Sequence, residues 1–320
     1  MLLVRPGDAT LLIDGRYTFQ ARQEVSGVRV ETVQHGLFRA AGEAIARRRR
    51  RRTVLAAYSP AQMTVAQQAA IEAAAKGHIR WVNATGAVER LRAVKDTDEL
   101  ARMRQAAAAI SEVFSDVVPL IRPGLAELDV AAEIEYRMKR LGASGPSFET
   151  IVAAGARSAW AHARPTSKLL KKNELVVLDQ GVILRDYCSD MTRTVFLGRC
   201  SRKVRRMYRA VLEAQEAAKN TIRPGVEAAT PDSAAREVLR KSGLAGFFTH
   251  STGHGLGLEV HEAPRLGKGE RAILEEGMVV TVEPGVYVEG FGGIRIEDDV
   301  VVTSTGGRDL TTASRELLEL

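Results

Sequence analysis

Hydrophobic positions in this chain group into alanine-rich helical stretches and β-branched runs, and the order in which they come recurs. An alanine-rich stretch around RMRQA (residues 102–106) leads to IRPG at 121–124, and a second such stretch opens at Asp129 and stops near Gly142. RMYRA (206–210), a second IRPG (222–225), Asp232 and Gly243 repeat that order. Pro-Gly pairs break helices and Asp is a favoured N-cap, so each half predicts helix, turn, helix, with Asp129 and Asp232 opening the second helix. A β-rich run interrupted by glycine turns follows in each half: ELVVLDQGVILRDYCSDMTRTVFLG (174–198) and GMVVTVEPGVYVEGFGGIRIEDDVVVT (277–303). Each predicts a strand pair, and the repetition predicts an internally duplicated α+β domain.

Composition narrows the class. The chain of 320 residues has room for one large domain and a small one, and its 45% hydrophobic content is ordinary for a globular protein. No stretch reaches the roughly 18 uninterrupted apolar residues of a membrane span. The opening MLLVRPGDATLLID lacks the basic start, apolar core and cleavage site of a signal peptide, so a cytoplasmic protein without a membrane partner is expected. Cys188 and Cys200 are too few for a disulfide framework and match no zinc spacing; they are expected as small buried thiols. The net charge of +7 owes much to Arg47–Arg52, at the end of a helix-like stretch beginning near Leu37. Cations suit a helix C-terminus and no aromatic residues interleave the run, so nucleic acid is not an expected partner.

The β-rich runs carry the chemistry. In the first, Asp179 precedes x-Gly and Asp190 follows eleven residues later; in the second, Glu283 precedes Pro-Gly and Glu297 follows fourteen later. Buried carboxylates are costly unless paired or metal-bound, and no Lys or Arg stands at matching positions in the two halves. Four carboxylates converging where the halves meet would hold two divalent cations in a hydrolytic centre. THSTGHGLGLEVHEAP (249–264) lacks Gly-Lys-Ser/Thr and is no phosphate loop, but its glycines let the backbone approach closely around His254. His254 has no histidine counterpart in the first half, so one ion is expected to carry nitrogen. His162 and His261 each stand three residues before a proline and fourteen after a phenylalanine, Phe148 and Phe247. They are expected to flank the carboxylates and to bind the substrate carbonyl or carry protons.

From about residue 93 to the end, the sequence resembles the pita-bread metallopeptidases, within them the aminopeptidase P and prolidase group. The resemblance rests on AVKDTDELARMRQA, HARPT, LDQG, YCSDMTRT, GHGLGLEVHEAP, TVEPGVY and GGIRIED, in order. It implies two α+β halves related by a pseudo-twofold axis, with the metals between them. It also implies that Asp179, Asp190, His254, Glu283 and Glu297 ligate the metals, with Asp190 and Glu297 bridging both. His261 would bind the substrate carbonyl, His162 and His250 would assist positioning and proton movement, and Tyr287 and Arg295 would support the ligands from behind. A metal-bridging hydroxide would attack the scissile carbonyl, with Glu283 passing the proton to the leaving amine. Manganese is the expected ion, with cobalt, iron or zinc as alternatives.

The expected function is that of an Xaa-Pro aminopeptidase acting on peptides with proline at the second position. The alternatives are a dipeptide-only prolidase, or a catalytically silent relative that binds RNA or a protein partner. Residues 1–92 resemble the group's smaller N-terminal α/β domain, LLIDGRYTFQARQEV matching its middle strand and following helix, and residues 93–320 the catalytic domain. The group's earlier strand and helix lack a counterpart, which leaves an open strand edge for a second subunit, so a homodimer is the expected assembly. GARSAWAHARPT departs from the group pattern: Arg157 and Trp160 are expected to bear on the substrate side, with Trp160 packed in the core.

Overall fold

The computed structural model describes residues 1–48 and 53–320, in two units, Met1–Val88 and Glu89–Leu320. Strand β1 (Leu2–Arg5) forms a hairpin with β2 (Asp8–Ile13), which pairs in parallel with β3 (Arg29–Thr32) across helix α1 (Thr18–Glu24). Helix α2 (Leu37–Arg48) leads to a second parallel pair, β4 (Val54–Tyr58) and β5 (Ile79–Asn83), joined through α3 (Val65–Ala74). Parallel neighbours need such crossovers, and this is the α/β arrangement expected of the segment. Leu12, Ala41 and Ile71 centre its small core. β1 lies at the sheet edge and leaves Leu2 and Val4 exposed. Of the arginine run, the Arg47 side chain lies 3.6 Å from Glu31 and Arg48 ends α2; the expectation for Arg49–Arg52 falls outside the described residues.

Helix α4 (Ala87–Ala93) contains the division between the units, and the second unit then repeats one plan twice. The first half runs α5 (Thr97–Val117), α6 (Glu127–Arg140), β6 (Gly145–Pro146), β7 (Ile151–Ala154), β8 (Glu174–Gln180), β9 (Val182–Leu184), β10 (Tyr187–Cys188) and β11 (Met191–Leu197). The second runs α7 (Arg202–Lys219), α8 (Ala229–Lys241), β12 (Gly253–Gly255), β13 (Glu262–Leu266), β14 (Val279–Val282), β15 (Gly285–Val288), β16 (Gly292–Arg295), β17 (Asp298–Thr303) and β18 (Gly306–Asp309). The sheets have the strand orders β11-β8-β7 and β13-β12-β14-β17-β18. Thus β7, β8 and β11 correspond to β12, β14 and β17, and the small hairpins β9–β10 and β15–β16 interrupt the same connection in each half.

Local sequence explains the helix boundaries, with one correction. Asp96 caps α5 by accepting from the N–H groups of Asp98 and Glu99, while Glu99 reaches back to the Asp96 N–H. α6 and α8 begin earlier than expected, with Ala126 and Ala228 as N-caps. Asp129 sits in the first turn and accepts from the Ala126 N–H at 2.8 Å; Asp232 turns away to tertiary partners. Gly142 and Gly243 follow the two helices at φ 87° and 71°, the left-handed conformation that stops a helix.

Each helix pair covers one sheet. Ile110, Phe114, Ile134 and Met138 pack with Val152, Val176, Leu178 and Val195 in the first half. Val211 and Leu239 pack with Val280, Val282, Val300 and Val302 in the second. Side chains alternate along a strand, so sending Val176 and Leu178 into the helix-covered core puts Val177 and Asp179 on the other face. Cys188 and Cys200 are free and buried, as expected.

Candidate metal centre

The four carboxylates come from corresponding strand ends. Asp179 lies at the end of β8 and Asp190 immediately before β11; Glu283 immediately follows β14 and Glu297 immediately precedes β17. With His254, at the middle of β12, they line one cavity of about 680 Å³. His162, His250, His261 and Arg295 line it too. Asp190, His254 and Glu297 each offer a ligand atom within 4.8 Å of the others. His254 Nε2 is 3.6 Å from Asp190 Oδ2 and 3.7 Å from Glu283 Oε1. Its Nδ1 lies 3.0 Å from the Gly255 carbonyl oxygen, which can only accept, so Nδ1 holds the proton and Nε2 presents a lone pair to the carboxylates. Burial pushes the imidazole pKa down to about 4, which keeps it neutral and fit to coordinate.

Without cations this arrangement is electrostatically frustrated. Burial, then the neighbouring carboxylates, hold Asp190 and Glu297 well above the usual carboxylate range. Burial pushes Glu283 up to about 8. Asp179 Oδ1 and Asp190 Oδ1 are buried with no hydrogen-bond partner, a costly condition that coordination would relieve. Four carboxylates and one neutral imidazole nitrogen therefore fit divalent ions.

Arg295 is the cavity cation bonded to the carboxylate set. It donates from Nη2 to Asp179 Oδ2 at 2.5 Å, from Nη1 to the Tyr287 hydroxyl at 2.6 Å and from Nε to Thr192 Oγ1 at 3.0 Å. A proton-ordered chain continues from there. The Tyr287 hydroxyl lies 2.9 Å from His250 Nε2, and His250 Nδ1 lies 2.8 Å from the Ser251 carbonyl oxygen. That carbonyl fixes the His250 proton on Nδ1, so Tyr287 donates to Nε2. Burial holds the phenol up at about 12 and His250 down at about 4, so each keeps its neutral form. His261 packs edge-on against His254 with ring centroids 4.3 Å apart, and burial lowers its pKa. Its neighbour Glu262 ties the loop to Arg92 and Lys95.

Several supporting residues have roles that the sequence did not assign. Asp299 accepts from the Asp190 backbone N–H at 3.1 Å, and Thr192 donates to Glu297 at 2.6 Å. Buried Glu127 takes the Ala154 and Thr166 N–H groups and the Arg157 guanidinium, clamping both ends of the segment that carries His162. Asp232 does the corresponding work in the second half, holding Thr252 and Arg236, while Arg236 donates to the His250 carbonyl at 2.5 Å. Two expectations need correction. Arg157 is committed to Glu127 and does not line the cavity. Trp160 is not packed in the core: it is 61% exposed, beneath the Arg157 guanidinium at 4.8 Å, because the turn Gly155–Ala159 ends by directing it outward.

Comparison with known proteins agrees with this geometry. The profile of metallopeptidase family M24 matches residues 101–304, and that of the creatinase/prolidase N-terminal domain matches residues 1–94. The uncharacterized peptidase YqhT of Bacillus subtilis (strain 168) is 38% identical over 322 residues, spanning 100% of this chain and 90% of that protein. An Xaa-Pro dipeptidase of Pyrococcus furiosus is 42% identical over 231 residues, 72% of this chain and 66% of that protein. Among solved structures, an Xaa-Pro dipeptidase from Bacillus anthracis superposes with a TM-score of 0.93 at 35% identity, covering 100% of this chain and 88% of the other. An X-Pro aminopeptidase from Thermotoga maritima gives 0.90 at 37%, with the same coverage. An Escherichia coli aminopeptidase P gives 0.83 at 25%, covering 95% of this chain and 79% of the other. The duplicated halves, the carboxylate cluster between equivalent strands and these matches together make the chain a member of metallopeptidase family M24, with the pita-bread fold and an N-terminal creatinase-like domain.

Proposed function

We propose that this chain is an Xaa-Pro dipeptidase, hydrolysing the bond between an N-terminal residue and a C-terminal proline. This replaces the Xaa-Pro aminopeptidase expected from sequence. The Pyrococcus furiosus and Bacillus anthracis relatives support the dipeptidase, and Escherichia coli aminopeptidase P is more distant; the Thermotoga maritima structure keeps the aminopeptidase as the second reading. The observation that carries the dipeptide reading is Arg265. It lies opposite His254 in the β12–β13 ladder, lines the cavity and forms no ion pair among the described residues. Directly opposed residues point to the same side, so a guanidinium stands ready for the free carboxylate that a dipeptide brings.

Asp179, Asp190, His254, Glu283 and Glu297 would hold two divalent ions, manganese being the proposed occupant of so oxygen-rich a set. Bound there, the ions would polarise the scissile carbonyl and lower the pKa of the attacking water. Glu283 takes the water proton and passes it to the proline nitrogen as the C–N bond breaks. His261 and His162 bind the carbonyl oxygen and orient the peptide, and the Arg295–Tyr287–His250 chain keeps Asp179 and His250 in fixed orientations. Phe148, Ile151 and Ala163 supply an apolar wall suited to the pyrrolidine ring. A cytoplasmic setting goes with the two free thiols; no helix among the described residues is long and apolar enough to cross a membrane.

The test is hydrolysis of Xaa-Pro against Xaa-Pro-Yaa by manganese-loaded protein, with Arg265→Ala alongside. The wild type should cleave dipeptides and leave tripeptides. Loss of one charged hydrogen bond should raise the variant's dipeptide KM by about tenfold or more, with kcat nearly unchanged. Faster release of the first residue from tripeptides than from dipeptides would return the assignment to the aminopeptidase.

A further inference from the structure

We infer that Thr192 is a positioning residue for the metal centre, its hydroxyl fixing the orientation of the Glu297 carboxylate across the junction of the two halves. The inference rests on the reading of Glu297 as a metal ligand. Thr192 is fully buried on β11 and stands opposite Asp179 in the β8–β11 ladder, so it belongs to the first half. Glu297 belongs to the second.

The direction of the hydroxyl follows from its partners. Thr192 Oγ1 lies 2.6 Å from Glu297 Oε2 and 3.0 Å from Arg295 Nε. A guanidinium can only donate and a hydroxyl has one proton, so Arg295 occupies the acceptor side of Oγ1 and the threonine proton points at Glu297. The Glu297 backbone N–H also donates to the Thr192 carbonyl, at 3.1 Å. One residue thus holds the glutamate at its backbone and at its carboxylate. Thr194, two residues along and on the same strand face, secures Arg295 in turn. Its hydroxyl accepts from the Arg295 N–H at 3.1 Å and donates to the Arg295 carbonyl at 2.9 Å. β11 therefore carries both Thr194, which secures the Arg295 donor that orients the hydroxyl, and Thr192, whose hydroxyl orients the ligand.

Threonine is the smallest β-branched residue able to do this; valine has the same shape and neither donates nor accepts. Removing an outer partner of a metal ligand commonly costs about 10–100-fold in metal affinity. Manganese titration of chelator-stripped protein by calorimetry should show that loss in Thr192→Val, with dipeptide KM at saturating manganese within about twofold of wild type. Thr192→Ser, which keeps the hydroxyl, should bind within about threefold of wild type. Glu297→Gln is the control for the underlying reading. Wild-type affinity in Thr192→Val, beside weakened binding in Glu297→Gln, would overturn the role of Thr192 and leave the metal site standing. Unchanged manganese stoichiometry and affinity in Glu297→Gln would instead remove the ligand assignment, and the inference with it. Should Thr192→Val fail to fold, Thr192→Ser decides: a tenfold or greater loss there would show that the methyl group, not the hydroxyl, matters.

Discussion

Asp190→Ala should lose at least one divalent ion and about a thousandfold or more in kcat/KM toward an Xaa-Pro dipeptide. A metal centre contributes several kcal/mol to transition-state stabilisation, and each 1.36 kcal/mol is a factor of ten. Asp190 carries this expectation because it stands within ligand reach of both His254 and Glu297 and has a buried oxygen without a partner. The same geometry predicts an opposite effect on the stripped protein. Burial and four neighbouring carboxylates make an ionised Asp190 expensive, so metal-free Asp190→Ala should melt no lower than metal-free wild type. Manganese should then raise the wild-type melting temperature by more than the variant's, because the wild type gains more binding energy in the folded state. Metal analysis, dipeptide hydrolysis and melting with and without chelator check the three statements together. Wild-type metal content and rate in the variant would exclude Asp190 from the centre.

Asp298→Ala, one residue past a proposed ligand, should act on stability. Asp298 accepts from Arg193 and Thr311 at 2.7 Å and from Gln215 at 2.9 Å, with Lys219 3.5 Å away. Arg193 is 1% exposed, so deleting its carboxylate partner strands a buried guanidinium. Breaking a buried pair from one side costs about 3–5 kcal/mol. Denaturant unfolding should show a lower midpoint of that size, and Asp298→Asn, which keeps the shape and loses the charge, should fall in between. A midpoint equal to wild type would mean that solvent or a relaxed side chain replaces the carboxylate.

The contrast between these neighbours shows how far the sequence could be read. The carboxylates at 179, 190, 283 and 297 were legible because duplication repeats them at strand ends, and chance does not repeat a pair of acids in register with two helix pairs. Asp298 and Asp299 are both fully buried aspartates, yet alternation along β17 sends them to different sides. Asp298 enters the Arg193 network, and Asp299 meets the Asp190 N–H. Thr192 and Arg193 lie within YCSDMTRT, yet their roles were illegible for a related reason: their partners lie more than one hundred residues away, across the junction of the halves. Trp160 was misread because aromatic character suggests burial, whereas its turn and the Arg157–Glu127 pair leave it outside. The helix starts were displaced because a first-turn aspartate can serve the N-cap backbone from inside the helix or leave it for tertiary partners, as Asp129 and Asp232 do.

The five proposed ligands are divided between halves that are synthesised one after the other. Asp179 and Asp190 leave the ribosome before His254, Glu283 and Glu297, and two carboxylates at strand ends are a weak trap for any cation. With that ligand set, a nascent chain holding only the first two would bind any metal weakly. On the proposed ligand set, tight binding requires both sheets docked and Arg295 in place on Asp179, so selection among ions would fall to the finished cavity.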